Sequence, residues 1–293
     1  MNLSVLIPVF NRDVTLLVSA LASLLTKEKI ISEIILLDDA SASEFNNLNQ
    51  QLAEADFIFY SRNKSNCGRT ITRKLLASQA QYDYLLFLDC DVKIISPGFI
   101  ANYHAQMKEN TDVCSGGLVY EETEPDENKF KLHWRYGTFR ESTQRVFLSS
   151  NFLIKKDVFL GMDFNAPLNQ YGHEDTLWGI ELKKKGVQAK FIENPVMHEG
   201  IEECNSYINK SLMAVENLLV LERLIGEEEL ARHVKLYEMY KKLDRYKITG
   251  LVALAEKWFH SSIIKNLCSY EPSLKYFDWM RLAHFIRLKK AAK

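Results

Sequence analysis

The chain has 293 residues, of which 47% are hydrophobic and 26% are charged, and its formal net charge is −1. This composition is typical of a globular protein with a substantial core, and the near-zero charge argues against a globally basic nucleic-acid-binding protein. No apolar run approaches the length that spans a bilayer, and the first residues lack the features of a signal peptide. Five cysteines, odd in number and without a CxxC pair, predict neither a disulfide framework nor a zinc site. We therefore expect a cytoplasmic, reduced protein.

The first 91 residues alternate between strand and helix patterns. Strands are predicted at Leu3–Phe10, Glu33–Leu37, Phe57–Tyr60 and Tyr84–Asp91, and helices at Thr15–Leu25, Ser43–Ala53 and Arg69–Ala80. This alternation predicts an α/β fold with a doubly wound, mostly parallel sheet. Polar residues follow the strands, so we expect them to converge on the carboxyl edge of the sheet, where such folds bind ligands.

The segment Tyr84–Asp91, YLLFLDCD, is the most informative of these strands. Its residues Leu85–Leu88 run without a polar break, as in a strand buried on both faces. If the chain stays extended, Asp89 and Asp91 lie on the same side of it. Two neighbouring carboxylates repel each other, so the pair predicts a divalent metal ion held by oxygen ligands.

The middle of the chain adds further strands and helices. They are predicted as helices at Phe99–Asn110 and within Asn169–Gly186, and as strands at Val113–Val119, Val146–Ile154 and Ala189–Met197, the last ending at His198. His133–Tyr136 and Arg140 combine aromatic and basic groups, which fits either contact with a sugar or phosphate or ordinary packing.

After about residue 201 the pattern becomes helical. Helices are predicted at Tyr207–Leu224, Glu227–Leu243, Thr249–Leu267 and Leu274–Lys293. The last of these carries a basic tail, which fits either a packed terminal helix or peripheral contact with the inner face of an anionic membrane. The expected organisation is a domain over residues 1–200, with a donor half at 1–95 and an acceptor half at 96–200, followed by a helical region at 201–293.

Three groups of residues, in this order, resemble the family 2 glycosyltransferases of GT-A fold. The resemblance covers about residues 1–200, and the stretch from Gly172 to Gly186 is more similar to the chondroitin-polymerase and galactosyltransferase-type branch than to a generic member. The groups are Pro8–Arg12 with Asp38–Ser41, Asn66–Gly68 with Arg73 and the DxD motif Asp89–Asp91, and Gly172–Asp175 with His198.

The resemblance implies an enzyme that moves a sugar, with inversion, from a nucleoside diphosphate to an acceptor hydroxyl with the help of Mn²⁺ or Mg²⁺. Asp91 would bind the metal, His198 would complete its site, and Asp89 would hold the ribose or a metal-bound water. A mixed carboxylate and imidazole set favours Mn²⁺ over Ca²⁺.

The resemblance also implies a nucleotide pocket for a UDP-sugar. Asp39 would accept a hydrogen bond from the base, most often uracil, and Arg73 would approach the diphosphate. The remaining pocket residues would be Pro8, Phe10, Arg12, Gly68, Asp89 and Cys90. Ala40 replaces the glycine that is usual after Asp39, so we expect the turn there to avoid a positive φ. The Cys90 side chain is expected to face away from the site.

Inversion by a single displacement requires a base opposite the leaving group. By match to the Glu-Asp pair of the family, Asp175 is the expected base, and Glu174 would bind the acceptor or donor sugar. Trp178 would line the acceptor side, and Asn151 would contact the sugar.

Other functions are compatible with part of this pattern. A haloacid-dehalogenase-type phosphatase also places Asp-x-Asp after an apolar strand, with Asp89 as nucleophile and Asp91 as acid and base. A non-catalytic protein of the same fold would bind nucleotide sugars or glycans. The expected acceptor is a saccharide or lipid-linked glycan in polysaccharide or glycan biosynthesis, nucleic acid is not an expected partner, and an oligomer stays open.

Overall fold

A computed structural model describes residues 2–163 and 172–292 and divides the chain into two units. The first unit comprises the described residues of Met1–Glu121, Ser142–Phe164 and Trp178–Gly200. The second comprises those of Glu122–Glu141, Asn165–Leu177 and Ile201–Lys293. The beginning of the predicted segment Asn169–Gly186, residues 169–171, lies outside the described residues.

The strands that the structure describes all belong to the first unit. In chain order they are β1 (Leu3–Val9), β2 (Ser32–Asp38), β3 (Ile58–Arg62), β4 (Tyr84–Leu88), β5 (Val92–Ile94), β6 (Val113–Ser115), β7 (Leu118–Val119), β8 (Asn151–Lys155), β9 (Lys190–Phe191) and β10 (Val196–His198).

Twelve α-helices are found in the described part of the chain. They are α1 (Thr15–Glu28), α2 (Ser43–Gln50), α3 (Arg69–Gln79), α4 (Phe99–Lys108), α5 (Asn128–Tyr136), α6 (Lys156–Leu160), α7 (Glu174–Lys184), α8 (Cys204–Ile225), α9 (Glu227–His233), α10 (Lys235–Arg245), α11 (Thr249–Leu267) and α12 (Leu274–Ala291).

A seven-stranded sheet of order β3-β2-β1-β4-β8-β6-β9 forms the centre of the first unit. Strands β1 to β4 are parallel, whereas β8 runs antiparallel to both of its neighbours. Every residue of β4 is buried, as its unbroken apolar sequence predicts. From β1 the chain adds β2 and then β3 on one side of β1, and it adds β4 on the other side. The carboxyl ends of these two strands therefore flank the topological switch point, where open α/β sheets bind ligands.

A second sheet of order β5-β10-β7 lies in the same unit. Strand β10 pairs antiparallel with β5, so that His198 lies opposite Val92. Because β5 begins directly after Asp91, this pairing brings His198 to the DxD motif.

Several predicted elements are divided differently in the structure. Strand β4 ends at Leu88, so Asp89 and Asp91 lie in a turn and the alternation of an extended strand does not apply to them. The predicted strand Val113–Val119 is two strands in two sheets, β6 and β7. Between them, a side chain on Gly116 would lie 2.5 Å from Asn151 Nδ2, so the bend admits only glycine there. The single strand predicted at Ala189–Met197 is likewise divided into β9 and β10.

The second unit contains α5 and the helices from α8 to α12. The helix predicted at Glu227–Leu243 is broken at Val234, whose backbone is extended between α9 and α10. Helix α12 buries apolar side chains along its length, as expected for the packed terminal helix that was one of the two alternatives. These side chains are Phe277, Met280, Ala283, Phe285 and Ile286.

A disulfide links Cys204 to Cys268 in the second unit and joins the start of α8 to the end of α11. The prediction of a reduced chain without disulfides was therefore wrong at this pair. The two cysteines are 64 residues apart in sequence, and the fold of the second unit brings their Cα atoms to 5.6 Å. Among the described residues, no helix combines the length and apolar content needed to cross a bilayer.

Candidate active site

Asp39 follows β2, and its carboxylate accepts hydrogen bonds from four donor groups. Its Oδ1 accepts from Asn63 Nδ2 at 2.8 Å, from the Cys67 amide at 3.0 Å and from the Cys67 thiol at 3.1 Å. Its Oδ2 accepts from the Gly68 amide at 2.8 Å. Burial alone would raise the pKa of Asp39, but these donors outweigh it and lower the pKa below its usual value. The carboxylate is therefore held ionised and fixed in direction.

Arg73, on α3, is almost fully buried, and its guanidinium forms an ion pair with Asp89. Its guanidinium carbon also lies 5.6 Å from the ring centroid of Trp178. Among the described residues, Nε and Nη1 of Arg73 have no hydrogen-bond partner, and Nη2 also donates a longer bond to the Ser149 carbonyl at 3.4 Å. The structure places this guanidinium against the first carboxylate of the DxD motif, and its approach to a diphosphate stays a prediction.

Asp91 and His198 meet at the edge of the small sheet. His198 Nε2 lies 3.5 Å from Asp91 Oδ2, and the two side chains are 15% and 34% exposed. The Glu199 amide donates to the Asp91 carbonyl at 2.8 Å and fixes the loop that carries the carboxylate. The ring of His198 also lies against Tyr120, with 5.2 Å between ring centroids.

Gly200 closes the space behind this pair. A Cβ at position 200 would lie 2.6 Å from Asp91 Oδ2 and 3.1 Å from His198 Cε1. Asp91 and His198 thus lie beside a small space that a side chain at position 200 would fill. Their oxygen and nitrogen atoms are ligands that suit Mn²⁺. The described residues contain no group of three or more His, Cys, Asp or Glu side chains that could hold a metal ion. Asp89 forms its ion pair with Arg73, and its predicted part in the metal site stays a prediction.

The predicted pocket residues after β1 lie at the switch point. Phe10 is half exposed, and Arg12 Nη2 lies 4.0 Å from Glu199 Oε2. Cys90 is half-buried, and the expectation that its side chain faces away from the site stays a prediction. Burial, with the nearby Asp91 carboxylate, raises the pKa of Cys90 to about 12, so the thiol stays neutral. Pro8 is part of β1.

The Gly-His-Glu-Asp segment begins α7 in the second unit. Gly172 and His173 both have positive φ values, of 106° and 70°. Glu174 is buried, and its Oε2 accepts from the Gly172 amide at 3.0 Å. Asp175 is half-buried in the first turn of the helix, where a carboxylate is favoured by the helix dipole.

Two predicted contacts with substrate were wrong. Trp178 is 2% exposed and packs against Phe147, Phe152 and Phe159, so it cannot line an acceptor site. Asn151 is completely buried and joins three segments of the core. It accepts from Tyr103 Oη at 2.6 Å and donates to the carbonyls of Gly117 and Asn194.

The turn after β2 also differs from expectation. Ala40 has a φ of 64°, in the left-handed region that the sequence was expected to avoid. This conformation costs an alanine about 1 kcal/mol. Hydrogen bonds on both sides compensate, since the Ser41 amide donates to Asp38 Oδ1 and the Asp39 amide donates to the Val9 carbonyl, both at 2.8 Å.

The roles of three supporting residues were not predicted, although Asn63 belongs to the polar residues that follow the strands and Cys67 to the Asn66–Gly68 group. Asn63 and Cys67 hold Asp39, and Gly200 borders Asp91 and His198. Asn63 follows the end of β3 directly, and Gly200 comes two residues after His198. Their positions next to strand ends were the signal that could have identified them.

Residues 4–168, more than half of the chain, match the sequence profile of glycosyl transferase family 2. The chain belongs to this family. The match agrees with the three parallel strands before Asp89, which the phosphatase alternative leaves unexplained. No curated protein shows significant sequence similarity to the chain.

Solved structures of similar fold are GT-A glycosyltransferases, and the predicted GT-A fold is thereby confirmed. A mannosyltransferase from Pyrobaculum calidifontis, in complex with GDP-Man and Mn²⁺, is 12% identical, with a TM-score of 0.56 over 99% of this family 2 chain and 87% of its own. Glucosyl-3-phosphoglycerate synthase from Mycobacterium tuberculosis, bound to Mn²⁺, UDP and product, is 14% identical, with a TM-score of 0.53 over 77% and 80%. Mannosyl-3-phosphoglycerate synthase from Rubrobacter xylanophilus is 15% identical, with a TM-score of 0.56 over 78% and 76%.

Proposed function

We propose that this family 2 protein is a metal-dependent, inverting glycosyltransferase that moves a sugar from a UDP-sugar to an acceptor hydroxyl. The observation that carries the proposal is the pair Asp91 and His198, which the β5–β10 pairing brings together beside the switch point. The solved structures of similar fold include complexes with Mn²⁺ and a nucleotide or nucleotide sugar.

Asp39 supports recognition of a base with a ring N–H group. Each carboxylate oxygen accepts about two hydrogen bonds, and the Asp39 carboxylate receives three at Oδ1 but only one at Oδ2. Oδ2 therefore keeps one acceptor position. Uracil and guanine each present a ring N–H there, whereas N3 of cytosine is an acceptor that would face a fixed negative charge. We expect UDP or GDP to bind in preference to CDP.

Asp91 and His198 would hold the divalent ion, which when bound supplies positive charge for the leaving diphosphate. Arg73 orients Asp89, whose part-exposed carboxylate would contact the ribose or a metal-bound water. Asp175 would take the proton from the acceptor hydroxyl, and Glu174, held by its bond to the Gly172 amide, would position a sugar.

Calorimetric titration tests this proposal directly. UDP, GDP and CDP would each be added to the full chain with and without Mn²⁺, and UDP would also be added to Asp91→Ala. We expect Mn²⁺-dependent binding of UDP, weaker binding of CDP, and loss of the Mn²⁺ dependence in Asp91→Ala. Absence of nucleotide binding under every condition would overturn the proposal.

The donor sugar and the acceptor follow from the shape of loops around the pocket. We propose a hexosyl or N-acetylhexosaminyl donor and a saccharide or lipid-linked glycan acceptor, in polysaccharide or glycan biosynthesis. Release of UDP from a panel of UDP-sugars, without acceptor, identifies the donor. Release of inorganic phosphate instead would indicate a phosphatase.

A further inference from the structure

Helix α11 has apolar residues on two opposite faces. One face is buried, through Ala253, Ile263 and Leu267. The other face is exposed, and together with the turn before the helix it forms what we call the α11 apolar face. Its members are Tyr246, Ile248, Leu251, Leu254 and Trp258.

This face is unusual in its size and composition. Leu251, Leu254 and Trp258 follow each other at intervals of three and four residues, so they form one stripe along the helix. Trp258 is 74% exposed, Tyr246 is 72% exposed and Leu251 is 68% exposed. Single exposed apolar residues are common, but a continuous stripe that includes a tryptophan marks a surface that binds something.

The charges around the α11 apolar face are mostly positive. The lysine and arginine residues of this region, which are named below, form no ion pair in the described part of the chain. Asp244 is an exposed acidic residue in the same region. The Lys290 ammonium also lies here, since a Cβ on Gly250 would be 3.2 Å from its Nζ. The buried Glu256 is already paired with Arg287 and His260. The cations are Arg245, Lys247, Lys257, Lys265 and Lys290.

We propose that the α11 apolar face binds peripherally to an anionic lipid surface. Tryptophan and tyrosine favour the boundary between lipid headgroups and acyl chains, and leucine and isoleucine side chains enter the apolar layer below. The surrounding lysine and arginine residues are attracted to anionic headgroups. The proposed binding partner is thus a lipid layer that has both an apolar interior and negatively charged headgroups.

A second copy of the chain fits this surface less well. A two-fold contact through the α11 apolar face would bring the cations of both copies together, with little acidic charge to neutralise them. The basic tail on α12, which the sequence singled out, is also a weaker candidate because that helix buries its apolar side chains. Lipid contact therefore belongs to α11 and the turn that precedes it.

Sedimentation with lipid vesicles tests the proposal on the full chain, without donor or metal. Vesicles of phosphatidylcholine alone are compared with vesicles in which about a third of the lipid is phosphatidylglycerol. We expect binding to the anionic vesicles that weakens with salt. Trp258→Glu should lower the vesicle partition coefficient about tenfold or more. Arg245→Gln and Lys257→Gln should each lower it about fivefold.

Leu16→Glu is the matched control, because Leu16 is an exposed leucine on α1 in the first unit. This variant should bind vesicles like the parent. Equal binding of Trp258→Glu and the parent, or no binding to anionic vesicles, would overturn the proposal. So would a parent dimer, seen by sedimentation equilibrium, that Trp258→Glu dissociates. Because vesicle binding requires no nucleotide, UDP titration of Trp258→Glu separates this result from the proposed transferase activity.

Discussion

Arg73 reaches Asp89 from a position where its own side chain is 1% exposed, while the carboxylate stays 25% exposed. The positive charge is thus in the core and its negative partner is at the edge of the sheet. The Ser149 carbonyl accepts a further, longer bond from Arg73 Nη2 at 3.4 Å. Asp89 is consequently fixed by a residue that is itself almost fully buried.

Replacing Arg73 with glutamine should destabilise the protein by about 2–4 kcal/mol, because the variant removes a buried ion-pair partner and leaves unfilled space beside Trp178. Urea unfolding measures this change. Lys74→Gln, on the exposed side of the same helix, should change the stability by less than about 0.5 kcal/mol. Similar values for both variants would contradict the importance of the buried pair.

Gly200→Ala should lower the Mn²⁺-dependent affinity for UDP by about ten- to hundredfold, because the added Cβ displaces the Asp91 carboxylate and the His198 ring. Calorimetry with and without Mn²⁺ measures the effect. Gly179→Ala is the matched control, since a Cβ there meets no atom within 4 Å. Unchanged affinity in Gly200→Ala would show that Asp91 and His198 do not hold the metal.

Asp175→Asn should leave UDP binding unchanged and lower turnover of the UDP-sugar by about 10²–10⁴, because asparagine keeps the shape of the side chain but cannot take a proton. The release of UDP over time measures turnover, and the titration of UDP confirms that the donor site is intact. A variant with parental turnover would remove Asp175 from the role of base.

His173 should make the protein less stable in mild acid. Burial, together with the charge of Arg281, lowers the pKa of His173 from 6.5 to about 4. Between these two values the unfolded chain binds a proton that the folded chain does not, so stability falls as the pH drops through this window.

Urea unfolding at pH 7 and pH 5 tests this effect on His173. The histidine should account for a loss of about 1–2 kcal/mol on going from pH 7 to pH 5. His173→Asn tolerates the positive φ and does not titrate, so it should lose correspondingly less stability. Equal losses in the parent and the variant would assign the acid sensitivity to other groups.

The sequence predicted the parts of the structure that depend on local patterns. Buried parallel strands require unbroken apolar runs, so β1, β2 and β4 were located to within three residues at each end. Helix α11 was predicted with its observed limits. The order of polar residues after the strands also indicated the family, which the profile match over residues 4–168 confirmed.

The remaining features depend on contacts between distant segments. Nothing near Arg73 in sequence reveals that its side chain points into the core, and nothing near Asn151 reveals its bonds to Tyr103, Gly117 and Asn194. The disulfide between Cys204 and Cys268 likewise depends on how the second unit folds. Left-handed Ala40 was missed because local propensity is overridden there by hydrogen bonds on both sides.

The hydrogen bonds around Asp39 have a consequence for the thermodynamics of recognition. Asn63, Cys67 and Gly68 already surround the carboxylate, so the loop that carries them does not need to become ordered when a nucleotide arrives. Binding of the nucleotide base at Asp39 should therefore resemble the docking of two rigid bodies, with little loss of conformational entropy. The heat capacity change should then reflect the surface of the base alone, without a contribution from coupled folding.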